Sequence, residues 1–323
     1  MTEFEIIDSM FTYNLSGNSD VVCGIGDDAA IVKAGSTNYA VSTDTLVEKV
    51  HFNENIKPYR LGSRAVRVAI SDLAAMGAAP KFALLAITIP EANKKWLTEF
   101  SAGLKSALSL YKCDLIGGDT TKGPLTITLQ VIGEVYANKL LRDGAKVGDR
   151  VMVTGELGGA RAALDFLDDD TNERTDGETI FLERYYYPNP RIEFGKAISS
   201  FAHAAIDISD GLIADLSHIA KKSHVKIKVF ADCVPVLATM YEYFPAHVAR
   251  EYALTGGDDY ELAFTVPKEN VPRILEIAKN LNISVTDVGL IENGRDVECY
   301  ESGNGQLMNL RDEGGFDHFK KIN

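Results

Sequence analysis

Aspartates that directly follow short apolar runs, each beside Gly, Ser or Thr, constrain this chain more than any other feature. They read Gly26-Asp27-Asp28, Ser42-Thr43-Asp44-Thr45, Ser71-Asp72, Gly117-Gly118-Asp119-Thr120, Asp207-Ile208-Ser209-Asp210-Gly211 and Gly256-Gly257-Asp258-Asp259. One such cluster is an ordinary turn. Six of them predict element ends that gather acids into one site. Gathered carboxylates repel, so the site needs cations. Mg²⁺, held by a few carboxylates together with phosphate oxygens, is the expected one.

The formal net charge of −13 argues against nucleic acid and anionic membrane as main partners. It leaves room for phosphates that arrive with metal ions. A hydrophobic fraction of 46% over 323 residues supports a core large enough for two domains. Cys23, Cys113, Cys233 and Cys299 are far apart, without a C-x-x-C pair. That spacing argues against structural zinc and a disulfide scaffold, and reads as reduced thiols of a cytoplasmic protein. The start, Met-Thr-Glu-Phe-Glu, lacks the basic and apolar regions of a signal peptide. The best apolar run, Phe82 to Ile89, stops at Pro90 and is too short to span a bilayer.

Periodicity places the clusters on elements. Ala29–Val32 and Tyr39–Val41 read as short strands. Leu61, Ala65, Ala69, Leu73 and Met76 recur at helical spacing, with Gly77 as the stop, so 61–76 reads as a helix that carries Asp72 within its apolar part. A carboxylate there is costly unless paired or bound to metal. Phe82–Ile89 reads as a strand, Glu91–Lys112 as a helix, and Cys113–Ile116 as a strand running into a turn at Gly117. Leu125, Ile127, Leu129 and Val131 alternate on one face of a half-buried strand. The domain boundary is placed near residue 147, dividing the chain into 1–146 and 147–323. In the second part, strands are expected at Arg150–Val153, Ala204–Ile208, Lys226–Phe230, Glu261–Val266 and Ile283–Leu290. Helices are expected at Leu212–Lys222 and Val271–Leu281, and a surface loop at Asp168–Gly177. The expected class is mixed α+β.

The chain lacks a G-x-x-x-x-G-K-[ST] loop and the kinase signatures H-R-D and D-F-G. Gly155 to Ala160 reads as a phosphate loop or, equally, as a tight strand-to-helix turn. The ordered set of motifs is more specific. It comprises Gly-Ile-Gly-Asp-Asp-Ala-Ala (24–30), Ser-Thr-Asp-Thr-Leu-Val (42–47) with His51-Phe52, and Ser-Asp-Leu-Ala-Ala-Met-Gly-Ala (71–78). It continues with Leu-Ile-Gly-Gly-Asp-Thr-Thr (115–121), Asp-Ile-Ser-Asp-Gly-Leu (207–212), Gly-Gly-Asp-Asp-Tyr-Glu-Leu (256–262) and Gly-Phe-Asp-His-Phe (315–319). In order and spacing, over nearly the whole chain, this set resembles the thiamine-phosphate kinases.

The resemblance implies ATP-dependent phosphorylation of thiamine phosphate to thiamine diphosphate. It implies the two-domain aminoimidazole-ribonucleotide-synthetase-like fold, in which N-terminal sheets of two subunits pair into a barrel beside C-terminal α/β sandwiches, hence a homodimer. Carried over by position, Asp28, Ser42, Thr43, Asp44, Asp72, Asp119, Asp207 and Asp210 match the family's Mg²⁺ ligands, several ions being expected. Gly118, Asp119, Arg142 and Ser209 match its ATP contacts, and His51, Asp258 and Phe316 its contacts to thiamine phosphate. Family members often carry Glu at the position of Asp258, and Asp reaches about 1.5 Å less. Asp259 is thus a second candidate for that contact.

Plainer roles stand beside these. Asp27 or Asp28 can form an Asx turn, and Asp72 can pair with Arg64 or Arg67. Asp207 and Asp210 can cap the helix at Leu212. Asp215 reads as a solvated helix residue, Tyr111 as core more than as an adenine contact, and Arg142 as a turn charge or a triphosphate partner. Selenophosphate synthetase and aminoimidazole ribonucleotide synthetase are the enzyme alternatives, and a non-catalytic nucleotide-binding scaffold is the alternative of another class.

Overall fold

The computed structural model describes residues 2–12, 19–136, 138–167, 174–301, 305–308 and 319. A short helix α1 (Glu3–Ile6), capped by Thr2 and Glu5, precedes a six-stranded sheet. Its strands are β1 (Val21–Cys23), β2 (Ala30–Ala34), β3 (Thr37–Val47), β4 (Ala79–Ile89), β5 (Asp114–Lys122) and β6 (Thr126–Val135), in the order β1-β2-β3-β6-β4-β5. Helices α2 (Pro58–Ala75) and α3 (Lys94–Leu110) belong to this half.

The expected short strand at 39–41 is part of an eleven-residue β3 that pairs with β6 from Asn38–Val135 to Val47–Thr126. The polar Ser42-Thr43-Asp44-Thr45 lies inside the strand. Alternation puts Ala40, Ser42, Asp44 and Leu46 on one face, and the exposed Thr43 and Thr45 on the other.

Helix α2 begins with Pro58 at its first position and ends at Gly77, whose φ of +67° suits glycine. Leu61, Ala65, Ala69, Leu73 and Met76 are all buried, as their spacing predicts. This helix packs on β3, β6 and α3 in its own half, and on elements of the second half. It is therefore enclosed on most sides, and any polar residue on it must face another polar group.

The turn expected at Gly117 is absent. Strand β5 continues through Gly117-Gly118-Asp119 to Lys122, parallel to β4. Gly118 has φ +144°, and a Cβ there would lie 1.8 Å from the Leu85 carbonyl oxygen. The glycine lets two backbones approach within a sheet rather than reverse the chain. β5 is an edge strand, and all nine of its residues are exposed.

The second sheet contains β7 (Arg150–Thr154), β8 (Ala204–Asp207), β9 (Lys226–Phe230), β10 (Leu262–Val266), β11 (Val285–Glu292) and β12 (Val297–Tyr300), in the order β12-β9-β11-β7-β10-β8. Around it lie α4 (Gly159–Ala163), α5 (Asp176–Tyr186), α6 (Ile192–Ile198), α7 (Leu212–Ser223), α8 (Met240–Tyr243), α9 (Ala246–Thr255) and α10 (Val271–Asn280). Part of the loop expected at 168–177 is the first turn of α5, opened by a Thr175–Glu178 capping box; residues 168–173 lie outside the described set. Helix α2 meets α6 and β8, so it forms the seam between the two halves. The two sheets and their helices make the expected mixed α+β architecture, and among the described residues neither sheet closes into a barrel. No helix among the described residues is long and apolar enough to cross a membrane.

Candidate active site

The seam brings three carboxylates together from separate elements. Asp28 comes from the turn before β2, Asp72 from the last turn of α2, and Asp207 from the end of β8. One ligand atom from each lies within 4.8 Å of the others. Asp44 belongs to the same cluster: its charge, with those of Asp207 and Asp28, pushes the Asp72 carboxyl further up. The Ser42 hydroxyl donates to Asp72 Oδ2. The pairing of Asp72 with Arg64 or Arg67 does not occur among the hydrogen bonds and ion pairs seen here. Arg64 binds Asp258, and Arg67 donates to the Tyr111 hydroxyl at 3.2 Å and the Pro188 carbonyl at 2.9 Å.

Crowding and burial oppose ionisation of this group. Burial first, then the charge of Asp28, pushes Asp207 up to about 8. Burial first, then Asp44, Asp207 and Asp28, lifts Asp72 well above the usual carboxylate range. Burial raises Asp44 to about 6. Burial also raises Asp28, although Arg142 pulls against it. Asp28 Oδ2 is buried and accepts no hydrogen bond. An all-oxygen donor set with an unpartnered buried oxygen and surplus negative charge fits a hard divalent cation such as Mg²⁺.

Asp27 and Asp28 divide their roles. Asp27 accepts from the Asp28 and Arg142 backbone N–H groups and fixes the turn. Asp28 turns inward, with Oδ1 2.6 Å from Arg142 Nη2. Arg142 is therefore no surface charge: only 15% of its side chain is exposed. A cleft of about 330 Å³ opens beside it, bordered by Phe4, Thr43, His218 and Lys222.

The loop after β8 is organised by Asp215, against the expectation of a solvated residue. Asp215 is buried, and its Oδ2 accepts from the backbone N–H groups of Ser209, Asp210 and Gly211 at 3.0–3.1 Å. The cap position of α7, expected for Asp207 or Asp210, is held by Gly211 without a side-chain hydrogen bond, and Asp215 satisfies the open N–H groups from inside the helix. Ser209 and Asp210 are thereby held beside Asp207.

His51 follows β3, and Asp258 is joined to α2 through Arg64. The Val47 N–H donates to His51 Nδ1 at 3.0 Å, which leaves the ring proton on Nε2. Asp258, at φ +71°, accepts from Arg64 at 2.7 Å and from the Tyr260 hydroxyl at 3.0 Å. Asp259 turns away, accepting from the Gly158 N–H at 2.8 Å and the Ala160 N–H at 3.4 Å. It anchors the Gly155–Ala160 segment, which forms a strand-to-helix turn. Gly118 and Asp119 do not join the cluster within this chain. Asp119 stands on the exposed β5, three strands from Asp44, about 14 Å at normal strand spacing. Phe316 lies outside the described residues.

Residues 26–135 match the family described as AIR synthase related protein, N-terminal domain, and residues 146–301 match its C-terminal domain. Thiamine-monophosphate kinase of Haemophilus influenzae is 40% identical over 326 residues, covering 99% of both chains. A structure of AaThiL complexed with AMPPCP and TMP superposes with a TM-score of 0.85 at 34% identity, covering 98% of this chain and 97% of that one. Thiamine-monophosphate kinase from Stenotrophomonas maltophilia K279a gives 0.79 at 37% identity, covering 95% and 98%. With such similarity over almost its full length, the chain belongs to the thiamine-monophosphate kinases of the AIR-synthase-related family.

Proposed function

We propose that this kinase transfers the γ-phosphoryl group of ATP directly onto the phosphate of thiamine phosphate, giving thiamine diphosphate, with several Mg²⁺ ions. The observation that carries the reading is the convergence of Asp28, Asp72 and Asp207, with Ser42 and Asp44, at the seam. The relative described as complexed with AMPPCP and TMP supports the same pair of substrates.

Phosphoryl transfer spreads negative charge over the moving group, and catalysis is mainly positioning and electrostatic stabilisation. Bound Mg²⁺ supplies neutralising charge to the phosphates. Asp28, Ser42, Thr43, Asp44, Asp72, Asp119, Asp207 and Asp210 are the residues assigned to hold it. Arg142, at the edge of the cleft, offers a planar guanidinium to the triphosphate, and Gly118, Asp119 and Ser209 complete the nucleotide contacts. Asp215 holds the Ser209–Gly211 backbone in one conformation before the nucleotide arrives. His51, Asp258 and Phe316 are assigned to thiamine phosphate. The second pKa of a phosphate monoester is about 6, so its attacking oxygen is mostly deprotonated at neutral pH and needs no general base.

The functional unit in this reading is a cytoplasmic homodimer of chains divided at about residue 147. The exposed edge of β5, with Leu115 and Ile116 uncovered, suits pairing with a second copy, which would also give Asp119 a site to complete.

The test is direct. Purified protein given ATP and thiamine phosphate forms thiamine diphosphate with Mg²⁺ and none without it. No product in excess Mg²⁺ overturns the reading, and a chemically competent phosphoenzyme overturns the direct transfer.

A further inference from the structure

Arg64 is a cation with 1% of its side chain exposed, on the helix that carries Asp72. A buried charge is costly, and its Nε–H has no acceptor. An apolar residue would serve packing better. Its other contacts connect two places in the fold. Nη2 donates to Asp258 Oδ1 at 2.7 Å, and Nη1 donates to the Tyr185 carbonyl. The guanidinium lies 3.9 Å above the Tyr185 ring. The Tyr185 hydroxyl in turn donates to the His51 carbonyl at 2.7 Å. The path therefore runs from Asp258 through Arg64 and Tyr185 to the His51 backbone. Tyr260 braces Asp258 from the other side at 3.0 Å, and the Asp258 N–H is tied to the Ser209 carbonyl at 2.8 Å.

Resting on the assignment of His51 and Asp258 to thiamine phosphate, we propose that Arg64 is a positioning residue that, through Tyr185, fixes the spacing of the two sides of the acceptor pocket. Its planar fork suits the task because one side chain holds a carboxylate, a carbonyl and an aromatic face at once. Lysine keeps the charge and loses the fork. The short Asp258 makes such bracing more important, because a displaced carboxylate cannot reach the substrate by extending.

The experiment compares the full-length wild type with Arg64→Gln, Arg64→Lys and Tyr185→Phe. Circular dichroism and melting establish folding. Steady-state kinetics are measured for both substrates, and calorimetry gives the affinity for thiamine phosphate with Mg²⁺ and without ATP. Arg64→Gln is expected to raise KM and Kd for thiamine phosphate by up to about 100-fold, the order of effect of a misplaced contact group, and to leave KM for ATP unchanged. Arg64→Lys falls between it and the wild type. Tyr185→Phe, which keeps the ring and removes only the bond to His51, raises the same two constants about fivefold, the worth of one hydrogen bond. Folded variants with unchanged constants, or with both substrates weakened equally, overturn the proposal. If the Arg64 variants do not fold, Tyr185→Phe decides it alone. A wild type that makes no thiamine diphosphate refutes the assigned reaction; an active wild type with unmoved variants refutes only the role of Arg64.

Discussion

Asp72 stands half-buried among the packed residues of α2, where a Leu or Ala would carry no electrostatic cost. Its carboxyl is held far above its ordinary range by burial and by Asp44, Asp207 and Asp28, so the cation-free protein strains against it. Asp72→Asn is expected to melt a few degrees higher without Mg²⁺, about 2–4 °C for each kcal/mol relieved. The same variant loses at least about 100-fold in turnover, because a residue made for the site has been exchanged for stability. Melting curves and thiamine diphosphate formation check both halves; a variant no more stable than wild type in the absence of metal sinks the repulsion argument. Asp72 could be read from the sequence because it interrupts a clean apolar period. The same signal is present twice more, at Arg64, read as a partner for Asp72, and at Asp215, read as solvated. Arg64 falls at the i+3 position after Leu61 and before Val68, and Asp215 between Leu212 and Leu216 on the apolar side of α7. A charge on a core stripe is visible in one dimension. Its partner is not: Asp258 lies 194 residues from Arg64, and the three N–H groups that satisfy Asp215 depend on the path of a loop.

The elements differ in how far local pattern determines them. Strand β6 follows its period because it buries one continuous face, and α2 keeps its apolar spacing while being enclosed on most sides. Strand β5 does not. Its sequence is rich in glycine and threonine and its nine residues are exposed, so no face alternates, and Gly117-Gly118 reads as a turn until β4 lies beside it. Helices α5, α6 and α9 went unpredicted because they are short and rest on tertiary contacts more than on amphipathic pattern. The exposure of β5 has a consequence at this scale. An open strand edge carrying Leu115 and Ile116 invites another chain unless it is protected. Ile116→Asp is expected to convert the proposed dimer to a monomer by light scattering. It also lowers activity by an order of magnitude or more, while leaving the circular dichroism spectrum in place. A variant that remains dimeric, or a monomer with full turnover, removes β5 from the subunit contact.

At the scale of the whole molecule the clustered acids pull in one direction with pH. The folded protein holds protons on Asp207 up to about 8 and on Asp44 up to about 6, with Asp72 also raised, whereas an unfolded Asp titrates near 3.9. Between these limits the folded state binds more protons than the unfolded one. The stability these groups contribute is complete below about pH 4 and is lost as pH rises through their folded values. His218 acts in the opposite sense and elsewhere. Burial, chiefly, lowers it from 6.5 to about 4, so its destabilising protonation falls below pH 6.5. A melting series from pH 6.5 upward therefore isolates the carboxylates. Without Mg²⁺ the melting temperature is expected to fall steadily toward pH 8.5. With millimolar Mg²⁺ the fall is reversed, since the cation binds the ionised cluster and stabilises the folded state by mass action. Calorimetric titration of Mg²⁺ in two buffers of different ionisation enthalpy should register proton release near pH 7 and less near pH 8.5, where the cluster is already ionised. A melting temperature that climbs from pH 6.5 to 8.5 in the absence of metal would mean that these acids are not protonated in the fold, and that some compensating charge already sits among them.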